Sequence, residues 1–92
     1  TDEIYYKKYE IAMQNHAYET AQTYLEKIIA VYPFDILADK AVYHLAQLYE
    51  TQLHNPDKAS ELYRKILSDY PNSLYIDDSR KRFREIRGDQ TN

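Results

Sequence analysis

The side chains that could support catalysis or bind a metal are few in this sequence, and they are scattered. The three histidines, His16, His44 and His54, have no second histidine or carboxylate at a spacing that would hold a zinc ion. The chain has no cysteine and no glycine-rich phosphate-binding loop. Asp77 and Asp78 are adjacent carboxylates, but at the start of a predicted helix they complement the helix dipole. We therefore predict no catalytic residue, no metal site and no cofactor, and hence a protein that is not an enzyme.

A repeated tyrosine–proline break shows how the chain divides into helices. Tyr32-Pro33 and Tyr70-Pro71 lie at an offset of 38 residues, and apolar residues precede each pair at i, i+3, i+4, i+7 spacing. Proline disfavours helical geometry in the residue before it, so Tyr32 and Tyr70 are predicted to be the last residues of two helices.

Polar residues after these breaks are candidate helix caps. Asp35 and Ser73, equivalent under the same offset, are predicted to cap the following helices. Asn55 followed by Pro56 is typical of a helix start, and Gly88 of a helix end. The Arg-Gly-Asp tripeptide that contains Gly88 is therefore interpreted as a stop signal, with the terminal "RGDQTN" as a frayed end.

The sequence predicts an all-α fold in one domain, residues 1–92. The expected helices lie near 2–14, 17–32, 36–53, 56–70 and 74–87, and no segment shows the alternation of a strand. A composition of 43% apolar and 29% charged residues with one glycine fits a folded helical chain. No apolar run approaches the roughly 18 residues of a membrane span.

The central unit resembles the tetratricopeptide repeat family. The residues that carry the resemblance are Val42-x2-Leu45-Ala46-x2-Tyr49, then Ala59-x3-Tyr63, then Pro71. The resemblance implies antiparallel helix-turn-helix repeats in a right-handed superhelix, with about two repeats and a C-terminal capping helix. The cap is expected because Arg84 stands where the close-packing Ala46 stands one unit earlier, so no further helix should cover it.

A narrower resemblance concerns the origin of the chain. The "YP" turns and the 38-residue spacing are similar to those of bacterial cell-envelope repeat proteins, which favours the periplasm or cell envelope over the cytoplasm. Since solenoids usually need about three units to bury a stable core, and the chain begins at Thr1, we expect the C-terminal part of a longer repeat protein.

Function follows from the resemblance, which implies that the first helix of each unit lines a concave groove. The register then predicts a tyrosine-centred groove with basic charge at one end, and a non-catalytic interaction or assembly scaffold that binds a protein, a peptide or a partner helix, with an acidic segment as one candidate. The predicted groove residues are Tyr6, Glu10, Met13, Lys40, Tyr43, His44, Gln47, Glu50, Lys81, Arg82 and Glu85.

Two other functions stay open at the sequence level. The segment could be a purely structural cap or a dimerisation segment of a longer array, so a homodimer remains a candidate. Residues 79–92 are net basic on an otherwise acidic chain, so a contact to nucleic acid or an anionic membrane is a third reading. An overall pI near 5.5 and the lack of aromatic residues interleaved with the arginines, Phe83 apart, weigh against nucleic acid.

Overall fold

The computed structural model describes residues 1–88, which form five α-helices and no strand. Each helix packs chiefly against the next one along the chain, so the first four form two antiparallel repeats and the fifth follows as a final helix. The predicted all-α repeat fold is confirmed. The helices are α1 (Asp2–Gln14), α2 (Tyr18–Val31), α3 (Ala38–Thr51), α4 (Pro56–Asp69) and α5 (Ile76–Arg87).

Local sequence signals account for several helix ends. The side chain of Asn55 accepts a hydrogen bond from the backbone N–H of Lys58 at 3.1 Å, and Pro56 occupies the first helical position of α4, as predicted. Gly88 ends α5 with a φ of 77°, a left-handed conformation that costs glycine little. The rest of the predicted frayed end, residues 89–92, lies outside the described residues.

The predicted caps of α3 and α5 are wrong, and both helices begin two residues later than expected. Leu37 and Tyr75 precede the first helical residues, and neither forms a side-chain cap. Each proline is instead followed by a turn in which the backbone carbonyl of Asp35 or Ser73 accepts a hydrogen bond from the N–H three residues later. The side chain of Ser73 accepts a hydrogen bond from the N–H of Tyr75 at 3.0 Å, one residue before the helix begins. The N–H groups of Ala38 and Ile76, the first helical residues, bond to main-chain carbonyls and not to side-chain caps.

Other boundaries differ from the prediction by a residue or two. α2 spans 18–31 where 17–32 was expected, α3 ends at residue 51 where 53 was expected, and α4 ends at 69 where 70 was expected. Tyr32 and Tyr70 are C-cap residues, whose N–H groups still bond to the carbonyls of Ile28 and Ile66. Proline therefore stops the helical geometry one residue earlier than predicted.

The core runs between the helix pairs and is narrow. Tyr63 is the largest fully buried side chain. Tyr49 is also buried, whereas Tyr24, Tyr32 and Tyr70 are half-buried at the edge of the core. The clustered buried residues are Tyr9, Ala12, Ala21, Leu25, Ile28, Ala41, Leu45, Ala46, Leu48, Tyr49, Ala59 and Tyr63.

The final helix has an open outer side. Ser79 is the buried residue of α5, and Arg84 is exposed where its equivalent Ala46 is fully buried. Among residues 1–88, no helix combines the length and the apolar character that crossing a membrane would require.

Candidate binding groove

The first helix of each unit contributes to one side of the molecule, so α1, α3 and α5 line a common face. Tyr6 of α1 lies with its ring centroid 6.3 Å from that of His44 on α3. Farther along, Arg82 of α5 pairs with Glu50 of α3. This face holds the contacts of the predicted groove residues described below.

His44 is at the centre of a cluster of aromatic rings. Its ring centroid lies 6.0 Å from that of Tyr9, 5.6 Å from that of Tyr43 and 6.2 Å from that of Tyr75. Its Nδ1 atom lies 3.1 Å from Oε1 of Gln47. Burial lowers the pKa of His44 below its usual value, against an opposing contribution from the Gln47 hydrogen bond. The imidazole is therefore neutral at neutral pH, and the cluster is an uncharged ring surface.

Tyr43 connects this cluster to the start of α5. Its ring stacks on that of Tyr75 with centroids 4.4 Å apart and planes 16° apart. Its hydroxyl donates to the carboxylate of Asp78 and accepts from Nε2 of Gln47 at 3.2 Å. Burial, and then the hydrogen bond to Asp78, raises the pKa of Tyr43 to about 12. Tyr43 is consequently fixed in place from three directions.

The predicted basic end of the groove is largely neutralised within the molecule. Glu50 accepts a hydrogen bond from the buried Tyr63 hydroxyl at 2.9 Å and forms an ion pair with Arg82. Arg82 also lies 3.4 Å from Glu85. The hydrogen bond to Glu50 raises the pKa of Arg82. The guanidinium of Arg82 is therefore engaged with α3, whereas Lys81 is exposed and makes no ion pair within residues 1–88.

The α1 end of the groove carries charges of both signs. The Lys40 ammonium lies 4.9 Å from the centroid of the Tyr6 ring, a cation–π distance. Glu10 is exposed and makes no ion pair within the described part of the chain. Burial raises the pKa of the Tyr6 hydroxyl, with smaller contributions from Tyr9 and Glu10. This end therefore offers a cation, an anion and tyrosine rings.

A cavity of about 250 Å³ opens between α1 and α3, next to the ring cluster. Met13 and Leu48 supply apolar surface, and Gln47 and Gln52 bring amide groups that can bond to a peptide backbone. Its size suits one side chain of a ligand. The lining residues are Tyr9, Met13, His44, Gln47, Leu48, Thr51 and Gln52.

Sequence reasoning missed several residues that shape this face. Tyr9 and Tyr75 contact His44, and Asp78 accepts from Tyr43. The groove residues are predicted from equivalent helical positions in successive units. Tyr75 lies in the turn before α5, so this comparison does not include it. At the sequence level Asp78 only complements the helix dipole, and no sequence signal indicates its contact with Tyr43. Within residues 1–88, no group of histidine and acidic residues could hold a metal ion.

Comparison with known proteins gives one result. The family model described as Tetratricopeptide repeat matches residues 40–73, which covers α4 and all but the first two residues of α3. No curated protein and no solved structure matches significantly. The match falls on the same unit whose residues carried the sequence resemblance.

Proposed function

We propose that the chain is a non-catalytic interaction module that binds a segment of a protein partner in a concave groove. The match of residues 40–73 to the tetratricopeptide repeat model supports this proposal. Such repeats generally mediate protein–protein interaction or scaffolding. The observation that carries the proposal is the cavity between α1 and α3, since it joins apolar surface, amide groups and fixed aromatic rings at one place.

Preorganisation of the groove supports binding. His44 and Tyr43 are held by ring contacts and hydrogen bonds on several sides, so little side-chain freedom remains to be lost when a partner docks. Aromatic side chains in partly desolvated pockets are also the residues that most often dominate interface energy. An apolar side chain of the partner entering the cavity, with its backbone bonding to Gln47 or Gln52, fits this arrangement.

Charge complementarity is a secondary element of the proposal. Arg82 is engaged by Glu50, so an acidic partner segment would have to be attracted by Lys40 and Lys81. Glu10 opposes such a segment at the α1 end. We therefore expect burial in the cavity to supply most of the affinity, and charge to influence orientation and association rate.

Photo-crosslinking tests whether the groove is the contact surface. A benzophenone amino acid replaces Gln47 in the cavity or, as a matched control, the exposed Lys58 on the outer helix α4. We expect a partner protein to be crosslinked reproducibly from position 47, and we expect that protein not to be crosslinked from position 58. Equal crosslinking from both positions, or crosslinking from position 58 alone, would contradict groove binding.

A binding measurement with the partner so identified then tests the cavity. Met13→Arg fills the cavity with a long charged side chain and should weaken binding by roughly tenfold or more. Thr23→Arg on the exposed side of α2 is the control and should leave affinity unchanged. Circular dichroism melts of both variants show whether the fold is retained.

A structural cap is the second candidate, and the exposure of Arg84 at the position of the buried Ala46 favours it. Substitution of Tyr43 cannot separate the two functions, because Tyr43 also stabilises the fold through Tyr75 and Asp78. Lys81→Glu can, because Lys81 is exposed. An interaction module with an acidic partner should bind less tightly after this change, whereas a cap should show no phenotype.

A further inference from the structure

Three large apolar side chains are almost fully exposed in the two turns that join successive units. Phe34 is 96% exposed, Ile36 is 90% exposed and Leu74 is 96% exposed. Ile36 and Leu74 are equivalent at the 38-residue offset, so the same kind of side chain recurs in consecutive turns. We call Phe34, Ile36, Leu74 and the cavity beside them the turn edge.

The two turns lie against each other. The Tyr70 hydroxyl, at the start of the second turn, donates a hydrogen bond of 2.8 Å to the carbonyl of Pro33, at the start of the first. A cavity of about 370 Å³ lies between the turns, and Ile36 and Ser73 both line it. The complete lining is Asp35, Ile36, Asp39, Asp69, Tyr70, Pro71, Asn72 and Ser73. Ile36 lines this depression, and Leu74 directly follows the lining residue Ser73 in the chain. Apolar exposure at such a place is typical of a protein-docking surface.

Charge indicates what would cover this surface. Asp35, Asp39 and Asp69 line the cavity, and no lysine or arginine does. Asp69 pairs with Lys65 at 2.9 Å, but Asp35 and Asp39 make no ion pair within residues 1–88. An occupant with apolar side chains next to basic ones would satisfy both features of the turn edge.

We propose that the turn edge is a second docking surface, distinct from the concave groove, which takes a basic amphipathic segment of a protein partner. Apolar side chains of that segment pack on Phe34, Ile36 and Leu74, and its lysines or arginines face Asp35 and Asp39. An anionic lipid surface is disfavoured by the same carboxylates.

Within residues 1–88, neither the first nor the last helix of a second copy supplies such a segment. The exposed face of α5 is basic, with Arg80, Lys81 and Arg84, but it carries no large exposed apolar side chain. The exposed face of α1 has apolar Ile4 and Ile11, but its charged residues balance, Glu3 and Glu10 against Lys7 and Lys8. The partner is therefore a different protein.

Nuclear magnetic resonance with an isotope-labelled chain tests the proposal. The probe is an amphipathic peptide of leucine and lysine, long enough for about four helical turns, and its comparison is the same peptide with glutamate in place of lysine. We expect shift changes confined to residues 34–39 and 69–75 with the lysine peptide, weakening as salt is added, and none there with the glutamate peptide.

Two pairs of substitutions separate the apolar and the charged contributions. Ile36→Ser with Leu74→Ser should weaken binding of the lysine peptide by roughly tenfold or more. Asp35→Asn with Asp39→Asn should weaken it and flatten its salt dependence. Ile4→Ser is the matched control, since Ile4 is also an exposed isoleucine, 54% accessible, but lies on α1. It should bind as the parent chain does.

Four results would each overturn the proposal. These are shift changes at groove residues such as Tyr43 and Gln47 instead of the turn edge, equal binding of both peptides, and a serine double variant that binds as tightly as the parent. The fourth is self-association of the chain without peptide that the serine pair abolishes, because the occupant would then be a second copy. Light scattering on the same samples detects it.

Discussion

α3 and α5 occupy equivalent positions in successive units, yet they are built from different residues. α3 buries Ala38, Ala41, Val42, Leu45, Ala46, Leu48 and Tyr49, whereas α5 buries only Ser79. The fully buried Ala46 corresponds to the exposed Arg84, and the buried Val42 corresponds to the exposed Arg80. A helix covered on both sides requires small and apolar residues, and a helix covered on one side tolerates charge on the other.

The two helices are also stabilised differently. α3 is held by burial in the core, while α5 buries less and relies also on features of its ends and on polar contacts to α3, among them the hydrogen bond from Tyr43 to Asp78. Asp77 and Asp78 lie in its first turn and Arg84 and Arg87 in its last, which suits the helix dipole at both ends. The ion pair between Arg82 and Glu50 links α5 to α3.

The largest expected effect on stability comes from exchanging the residue types of α3 and α5 at one equivalent position, Ala46 and Arg84. Ala46→Arg places a long charged side chain in the core and should lower the free energy of unfolding by about 4 kcal/mol or more. Arg84→Ala should change it by less than about 0.5 kcal/mol. Urea unfolding followed by circular dichroism measures both. Similar losses in the two variants would show that Arg84 is covered in solution.

A smaller loss is expected where α3 and α5 meet. Glu50→Ala leaves the buried Tyr63 hydroxyl without its acceptor and leaves Arg82 with Glu85 as its remaining partner. It should lower the free energy of unfolding by about 2 kcal/mol.

Glu85→Ala is the control for that change, because Glu85 is an exposed partner of the same arginine. It should lower stability by less than about 0.5 kcal/mol. If both substitutions have the same effect in urea unfolding, the acceptor role of Glu50 toward Tyr63 is not what stabilises this contact.

α5 should become more stable when its buried position is made like that of α3. The Ser79 hydroxyl is buried without a hydrogen-bond partner within residues 1–88, and its equivalent Ala41 is fully buried. Ser79→Ala removes this unsatisfied group and should raise the free energy of unfolding by about 1 kcal/mol. Ser60→Ala, also in a helix, controls for the gain in helix propensity. An equal gain at position 60 would attribute the effect to propensity alone.

The smallest expected effect is a pH dependence from His44, whose equivalent in α5 is Arg82. Burial lowers the pKa of His44 in the folded chain, so the unfolded chain binds this proton more readily. Its contribution to stability is present above the unfolded pKa near 6.5 and is lost as the pH falls toward the folded pKa. Urea unfolding between about pH 7 and pH 5 measures this loss.

Two substitutions control for the assignment to His44. His44→Gln should remove the pH dependence of stability, whereas His16→Gln should leave that dependence in place. A retained dependence in His44→Gln would assign the titration to another group.

Structural features that depend on only a few neighbouring residues could be predicted from the sequence. The proline breaks, the apolar spacing of the helices, and the helix ends at Asn55 and Gly88 follow from local backbone chemistry. The helix caps predicted at Asp35 and Ser73 are wrong, because main-chain turns compete for the N–H groups of the first helical residues. The groove residues are predicted by comparing equivalent helical positions in successive units, and they stay a prediction that the crosslinking experiment tests.

Helical period and proline placement alone determined that this protein is a row of antiparallel helices, because each depends on steric rules acting within one or two turns. Which polar groups meet between units was decided only by the tertiary structure. Arg82 reaches Glu50, 32 residues away, Tyr70 reaches Pro33, and Tyr75 stacks on Tyr43. These contacts depend on how successive units stack, and that geometry arises from the packing of the whole core.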